Sequence, residues 1–175
     1  QYQDVVSSVE KTELNLSEVS PDKLFFWSDT HFRHKNIIKY CDRPFVDVDH
    51  MTSTLVRNYI DTVPDDGVVV WVGDVAMGND IDGINTLLQS LPGYKVLVVG
   101  NHDFHSKHKS PFAYAFDEIH LVKTLNNFII SHHPLLEVPD GWYNIHGHVH
   151  NNSTTQPRHI NVSVEVVDYR PKPFA

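Results

Sequence analysis

Three short apolar runs in the first hundred residues each break off at side chains able to bind a cation or move a proton. Leu24-Phe-Phe-Trp27 leads into Ser28-Asp29-Thr30-His31, Val68-Val-Val-Trp-Val72 into Gly73-Asp74, and Val96-Leu-Val-Val99 into Gly100-Asn101-His102-Asp103. Uninterrupted apolar runs of this length, bounded by turn formers, suit strands covered on both faces. Between them, Met51, Leu55, Val56, Tyr59, Ile60 and Val63 recur at helical spacing, with Asp47 or Asp49 as cap and Pro64 as stop. Ile81, Ile84, Leu87, Leu88 and Leu91 repeat the pattern after Asp80 and before Pro92-Gly93. Strand, helix, strand, helix, strand implies a parallel sheet with right-handed crossovers. In such a sheet ligands gather at the ends where these runs stop.

The rest of the chain supplies further polar strand ends. Residues 1–22 read as a polar extension or edge segment that stops at Ser20-Pro21-Asp22. Arg33 and His34 either face a substrate phosphate or belong to a solvated basic loop, and a short helix is predicted from a cap at Asn36. An exposed loop carrying His105 and His108 is expected over residues 104–110, then a short helix from Pro111 to Phe116. Residues 118–125, the turn Asn126-Asn127 and residues 128–130 suggest a hairpin in which His120 faces outward. Its returning strand ends in His132-His133-Pro134, and the apolar stretch 142–145 ends in His146-Gly147-His148-Val149-His150. Ile160, Val162, Val164 and Val166 alternate as a last strand.

Composition narrows the chemistry. With 175 residues, 41% of them hydrophobic, the chain suits one domain over residues 1–175. A formal charge of -8 opposes the extended basic surface that long nucleic acids need. Cys41 is the single cysteine, so neither an internal disulfide framework nor a cysteine-built zinc site is available. No apolar run approaches membrane-spanning length, and a cytoplasmic location is the expectation. Oligomeric state is not legible. Asp29 and His31, two apart in extended chain, would point to the same side and grip one ion. Asn101 offers an amide oxygen, His102 a ring nitrogen or a proton, and Asp103 a carboxylate able to orient His102. Read alone, Gly-Asn-His-Asp also suits a polar turn with an Asn cap.

The ordered set Asp29-x-His31, Gly73-Asp74, Gly100-Asn-His-Asp103, His132-x-Pro134 and Gly147-His-x-His150 is far more specific than any of its parts. Over about residues 24–171 it resembles the calcineurin-like metallophosphoesterases, and in particular their small single-domain group. The resemblance implies an α/β fold of two mixed sheets packed as a sandwich and flanked by helices. It implies Asp74 as a carboxylate shared by two metal ions, Asp29, His31 and His150 completing one, and Asn101, His132 and His148 the other. The His-x-Pro pattern selects His132 over His133 as ligand. Nitrogen and oxygen donors without thiolate favour Mn, Fe, Zn, Ni or Co, with Mn the first choice.

The same resemblance implies phosphoester hydrolysis through a metal-bridging hydroxide, and the chain's compactness and weak basic lining tilt the expectation toward small or nucleotide-type phosphodiesters. His102 is then the general acid and Asp103 holds its ring in the productive tautomer. His146 lies behind the ligands, contacts substrate, or packs. Relatives commonly carry Gly after Asp-x-His-Phe, where Arg33 stands here; it adds a phosphate contact or obstructs the site. A phosphomonoesterase or protein phosphatase of the same fold is the alternative. A non-catalytic scaffold is opposed by the full set of ligand types.

Overall fold

A computed structural model describes residues 13–103, 115–152 and 156–175. The loop expected over residues 104–110, with His105 and His108, lies outside the described residues. So do residues 1–12 and all but Ala115 and Phe116 of the helix predicted from Pro111; those two residues are buried. From residue 13 onward the N-terminal segment packs on the domain, with Leu16 at 1% exposure.

The three opening runs form β1 (Leu24–Trp27), β2 (Val68–Trp71) and β3 (Tyr94–Val98), with β1 and β2 buried throughout. They pair in parallel, Leu24 opposite Val68 and Val68 opposite Tyr94, as the predicted crossovers require. The crossovers contain α2 (Val48–Thr62), after the short α1 (Lys35–Tyr40), and α3 (Ile81–Ser90). Asp47 caps α2 by accepting from His50 N, and Asp80 caps α3 by accepting from Gly83 N. Met51, Leu55 and Tyr59 turn the buried face of α2 inward, where Tyr59 stacks beside Trp27 and Trp71 at ring distances of 5.5 and 6.0 Å. The cap of α1 is His34, not Asn36, and it makes no capping bond because its ring turns toward His31.

The predicted strand over 118–125 is two strands. β4 (Glu118–His120) extends the first sheet beside β3, and the chain then passes through exposed Leu121 and Val122. It enters the second sheet as β5 (Lys123–Leu125), antiparallel to β6 (Phe128–Ile130) across a turn at left-handed Asn126. His120 is therefore buried rather than outward-facing. The N-terminal segment covers β4, with Leu14 N donating to Glu118 Oε2. Glu118 Oε1 lies 2.8 Å from His120 Nε2 and 3.1 Å from Lys123 Nζ. Parallel β7 (Tyr143–His146) and β8 (His159–Asn161) complete the sheet β5-β6-β7-β8.

The apolar alternation through Val166 does not extend β8. Ser163 donates to Asn161 Oδ1 through both its amide and its hydroxyl, the chain bridges to Ser28 instead, and Val164–Val166 forms a 3-10 turn. The last strand is β9 (Lys172–Pro173), antiparallel to β1, so the first sheet runs β4-β3-β2-β1-β9. One apolar core joins the two sheets, and Phe174 contacts both Phe26 and Phe128. Among the described residues no helix is long and apolar enough to cross a membrane.

Candidate metal centre

The parallel strands of both sheets deliver their C-terminal ends to one place. Asp29 and His31 follow β1, Asp74 follows β2, and Asn101 to Asp103 follow β3. From the second sheet, His132 follows β6 and His148 and His150 follow β7. The segment after β1 zips along the segment after β2: Asp29 N donates to Gly73 O, His31 N to Asp74 O, and Phe32 N to Val75 O.

The backbone there is not extended. Asp29, His31, Asp74, His148 and His150, five of the seven expected ligands, have φ of 60, 50, 51, 69 and 52°. The expectation that Asp29 and His31 share a side through strand alternation is corrected on this point. A left-handed residue turns the chain, so neighbouring side chains converge on a point rather than line a face. Each such residue costs about 1–3 kcal/mol and persists only where its surroundings hold it.

Each carboxylate uses one oxygen as an anchor and presents the other. Asp29 Oδ2 accepts from His148 N at 2.9 Å, while Oδ1 lies 3.7 Å from both His31 Nε2 and His150 Nε2. Asp74 Oδ1 accepts from His102 N at 2.9 Å, while Oδ2 lies 3.2 Å from His132 Nε2 and 3.6 Å from His31 Nε2. Two glycines make room for this. A Cβ on Gly147 would strike the Asp29 carboxylate and the Ser28 hydroxyl, and one on Gly100 would strike Asp74 Oδ1 and its amide.

The histidines are turned the same way. His31 Nδ1 is 3.1 Å from His34 Nδ1, His132 Nδ1 donates to Val72 O at 2.7 Å, and His150 Nδ1 donates to Glu165 Oε1 at 2.7 Å. In each the Nε2 is left facing the carboxylates. Outer partners of this kind orient the imidazoles of metal sites. His148 Nδ1 sits 3.2 Å from His132 Nε2, and Asn101 Oδ1 is 3.0 Å from the same nitrogen.

A cation fits these donors. Asp29 Oδ1 and His31 Nε2 are fully buried and have no hydrogen-bond partner, an arrangement that native interiors avoid unless a further group satisfies it. The donor atoms of Asp29, His31 and His150 lie within 4.8 Å of one another, and so do those of Asp29, Asp74 and His132 and those of His132, His133 and His148. Electrostatics agree. Burial alone would push Asp74 up, but the His132 and His31 imidazoles hold it well below the usual carboxylate range, and Asp29 is likewise held down. Burial opposes charge on His132 and His150 too. Yet Asp74 lifts His132 to about 9, and the Cys41 thiol and Glu165 lift His150 to about 10. A divalent cation held by these nitrogens would compete with their protons, so its binding would release protons.

Other expected residues are placed differently. Asp103 is fully buried and accepts from the amides of Asp74, Val75 and Gly100 at 3.0, 2.9 and 2.6 Å. It makes no hydrogen bond to the His102 ring, so its task is to pin the Gly100 turn to the Asp74 loop. Burial pushes it up to about 6. The His102 ring lies edge-on to His31, centroids 5.5 Å apart, at the exposed mouth. His34 backs His31, and burial followed by the charges of His31 and His102 pushes it down to about 4. Arg33 is 3.6 Å from Asp80 across an exposed contact. His146 is buried, with Nδ1 donating to Gly147 O, and packs edge-on against His159. His133 is exposed but packs against His148 with ring centroids 4.1 Å apart. Sequence reading missed Arg43 and Glu165, which meet behind His150. The only signal was an acid inside the apolar run 162–167.

A family model described as calcineurin-like phosphoesterase matches residues 23–172, and the chain belongs to that family of metal-dependent phosphoester hydrolases. It is 37% identical over 166 residues to the uncharacterized protein MJ1445 of Methanocaldococcus jannaschii, an alignment covering 87% of this chain and 88% of the relative. The crystal structure of the protein of unknown function AQ665 from Aquifex aeolicus superposes with a TM-score of 0.67 at 27% identity, covering 85% of this chain and 94% of that one.

Proposed function

We propose that the chain is a binuclear metal-dependent phosphodiesterase acting on small or nucleotide-type diesters, with His102 as general acid. The observation that carries this reading is the position of Asp74 Oδ2, one carboxylate oxygen between His31 Nε2 at 3.6 Å and His132 Nε2 at 3.2 Å. Asp29, His31 and His150 would hold one cation, Asn101, His132 and His148 the other, and Asp74 both. The donor set suits Mn, Fe, Zn, Ni or Co, with Mn favoured. When bound, the two cations would supply Lewis acidity toward the phosphoryl oxygens and acidify a water for attack.

The chain's own residues do the rest. Asp29 and Asp74 keep their inward oxygens fixed through backbone donors. His102, whose amide is tied to Asp74 Oδ1, has a ring without a hydrogen bond among the described residues and so stands ready to protonate a departing oxygen at the mouth. Among the described residues the charge balance favours diesters. A monoester brings a second negative charge, but Arg43 is already committed to Glu165 and Arg33 leans to Asp80. Neither guanidinium is left over for it.

The test uses Mn-loaded protein and chromogenic mono- and diesters of nitrophenol, then His102→Gln. We expect faster diester turnover. His102→Gln should keep its metal and lose about 10²- to 10⁴-fold on an alkyl or nucleoside diester, but far less on a nitrophenyl diester, whose leaving group departs unaided. Faster monoester turnover would overturn the diester preference, and equal losses on both diesters would remove His102 as the acid.

A further inference from the structure

Behind the centre, two buried charges meet that the reaction itself does not use. The side chains of Arg43 and Glu165 are 0% and 2% exposed and approach to 2.7 Å. Stability alone gives little reason for such a pair, since desolvating two charges offsets most of their attraction. Its connections are more informative. Arg43 Nη2 also donates to Asp29 O at 2.6 Å, and Nη1 donates to Thr30 O at 2.9 Å, so one planar fork holds two successive carbonyls of the left-handed turn that carries Asp29. Glu165 Oε1 receives both the guanidinium and His150 Nδ1–H.

The segment after α1 that carries Arg43 is thereby joined to those after β1, β7 and β8 through buried charge-assisted bonds. The outer partners of His31 and His132 are an imidazole and a carbonyl; Glu165 is the one carboxylate among them. Cys41, His150 and Glu165 also bring donor atoms within 4.8 Å of one another, but a guanidinium already occupies Glu165 there and excludes a cation.

We propose that Arg43 and Glu165 are positioning residues: Glu165 locks His150 with Nε2 inward and Arg43 holds the Asp29 turn, so that this half of the centre is built before a cation arrives. The proposal rests on the two-ion reading above, with Asp29 and His150 as ligands of one ion.

The test is calorimetric titration of metal-free wild type, Glu165→Gln, His150→Ala and the double variant with Zn²⁺. Wild type should bind in two steps. Glu165→Gln, which keeps the shape of the side chain, should weaken one step by about 10- to 100-fold and leave the other unchanged. In the His150→Ala background it should do nothing further, because its effect passes through that ring. In the Zn-loaded protein the downfield His150 Nδ1 proton resonance should be present in wild type and lost in Glu165→Gln. Arg43→Lys, which keeps the charge without the fork, should weaken the same step and serves if the Gln variant does not fold. A wild-type titration with a single step would sink the two-ion reading. Two wild-type steps with Glu165→Gln unaffected, with both steps weakened together, or with further weakening of His150→Ala would overturn the positioning role.

Discussion

An aspartate can present its carboxylate or spend it, and the three aspartates of the centre divide along that line. Asp29 and Asp74 each turn one oxygen toward the imidazoles, while Asp103 gives both to backbone amides. Asp103→Ala would strand three buried donors. Each such donor costs about 1–3 kcal/mol, so we expect a loss of several kcal/mol in urea unfolding of the metal-free protein. Unchanged stability with a slower reaction would instead mean that Asp103 acts through His102. The seven residues expected as ligands stood out in the sequence because each follows within a few residues of an apolar run. The contacts of Asp103 were not legible, since its partners are amides that any sequence carries. Arg43 and Glu165 were missed because they meet across 122 residues.

At the scale of the elements, the strands position the site and the left-handed turns aim it. The opening strands and their two capped helices could be read directly, because burial on both faces leaves an unbroken apolar run and an Asp cap leaves a start signal. The second sheet was harder. A break such as Leu121-Val122 looks like continued strand when apolar residues happen to occupy it, and the alternation through Val166 hid a 3-10 turn that brings Glu165 inward. Backbone handedness left no mark at Asp29 or His31, although a glycine facing a carboxylate did. Gly147→Ala should push the Asp29 carboxylate off its position, at a cost of about 1–3 kcal/mol in thermal unfolding and with weaker Mn²⁺ uptake in calorimetry. An alanine variant with normal metal affinity would show that Asp29 does not need this clearance.

Across the whole molecule, two sheets joined by a single core bring strand ends from both halves of the chain to one cluster of carboxylates and imidazoles. Neither sheet holds the centre alone: Asp29 and Asp74 come from the first, His132 and His150 from the second. The same construction predicts that metal, protons and fold are coupled. The site crowds negative charge that must be balanced by protonated histidines or by cations. The most direct test of the central claim is elemental analysis of protein stripped of metal and reconstituted with Mn²⁺, wild type beside Asp74→Asn. A carboxylate shared by two ions predicts about two Mn per wild-type chain, and loss of metal and activity together in the variant. Full metal content with near-normal turnover in Asp74→Asn would contradict it.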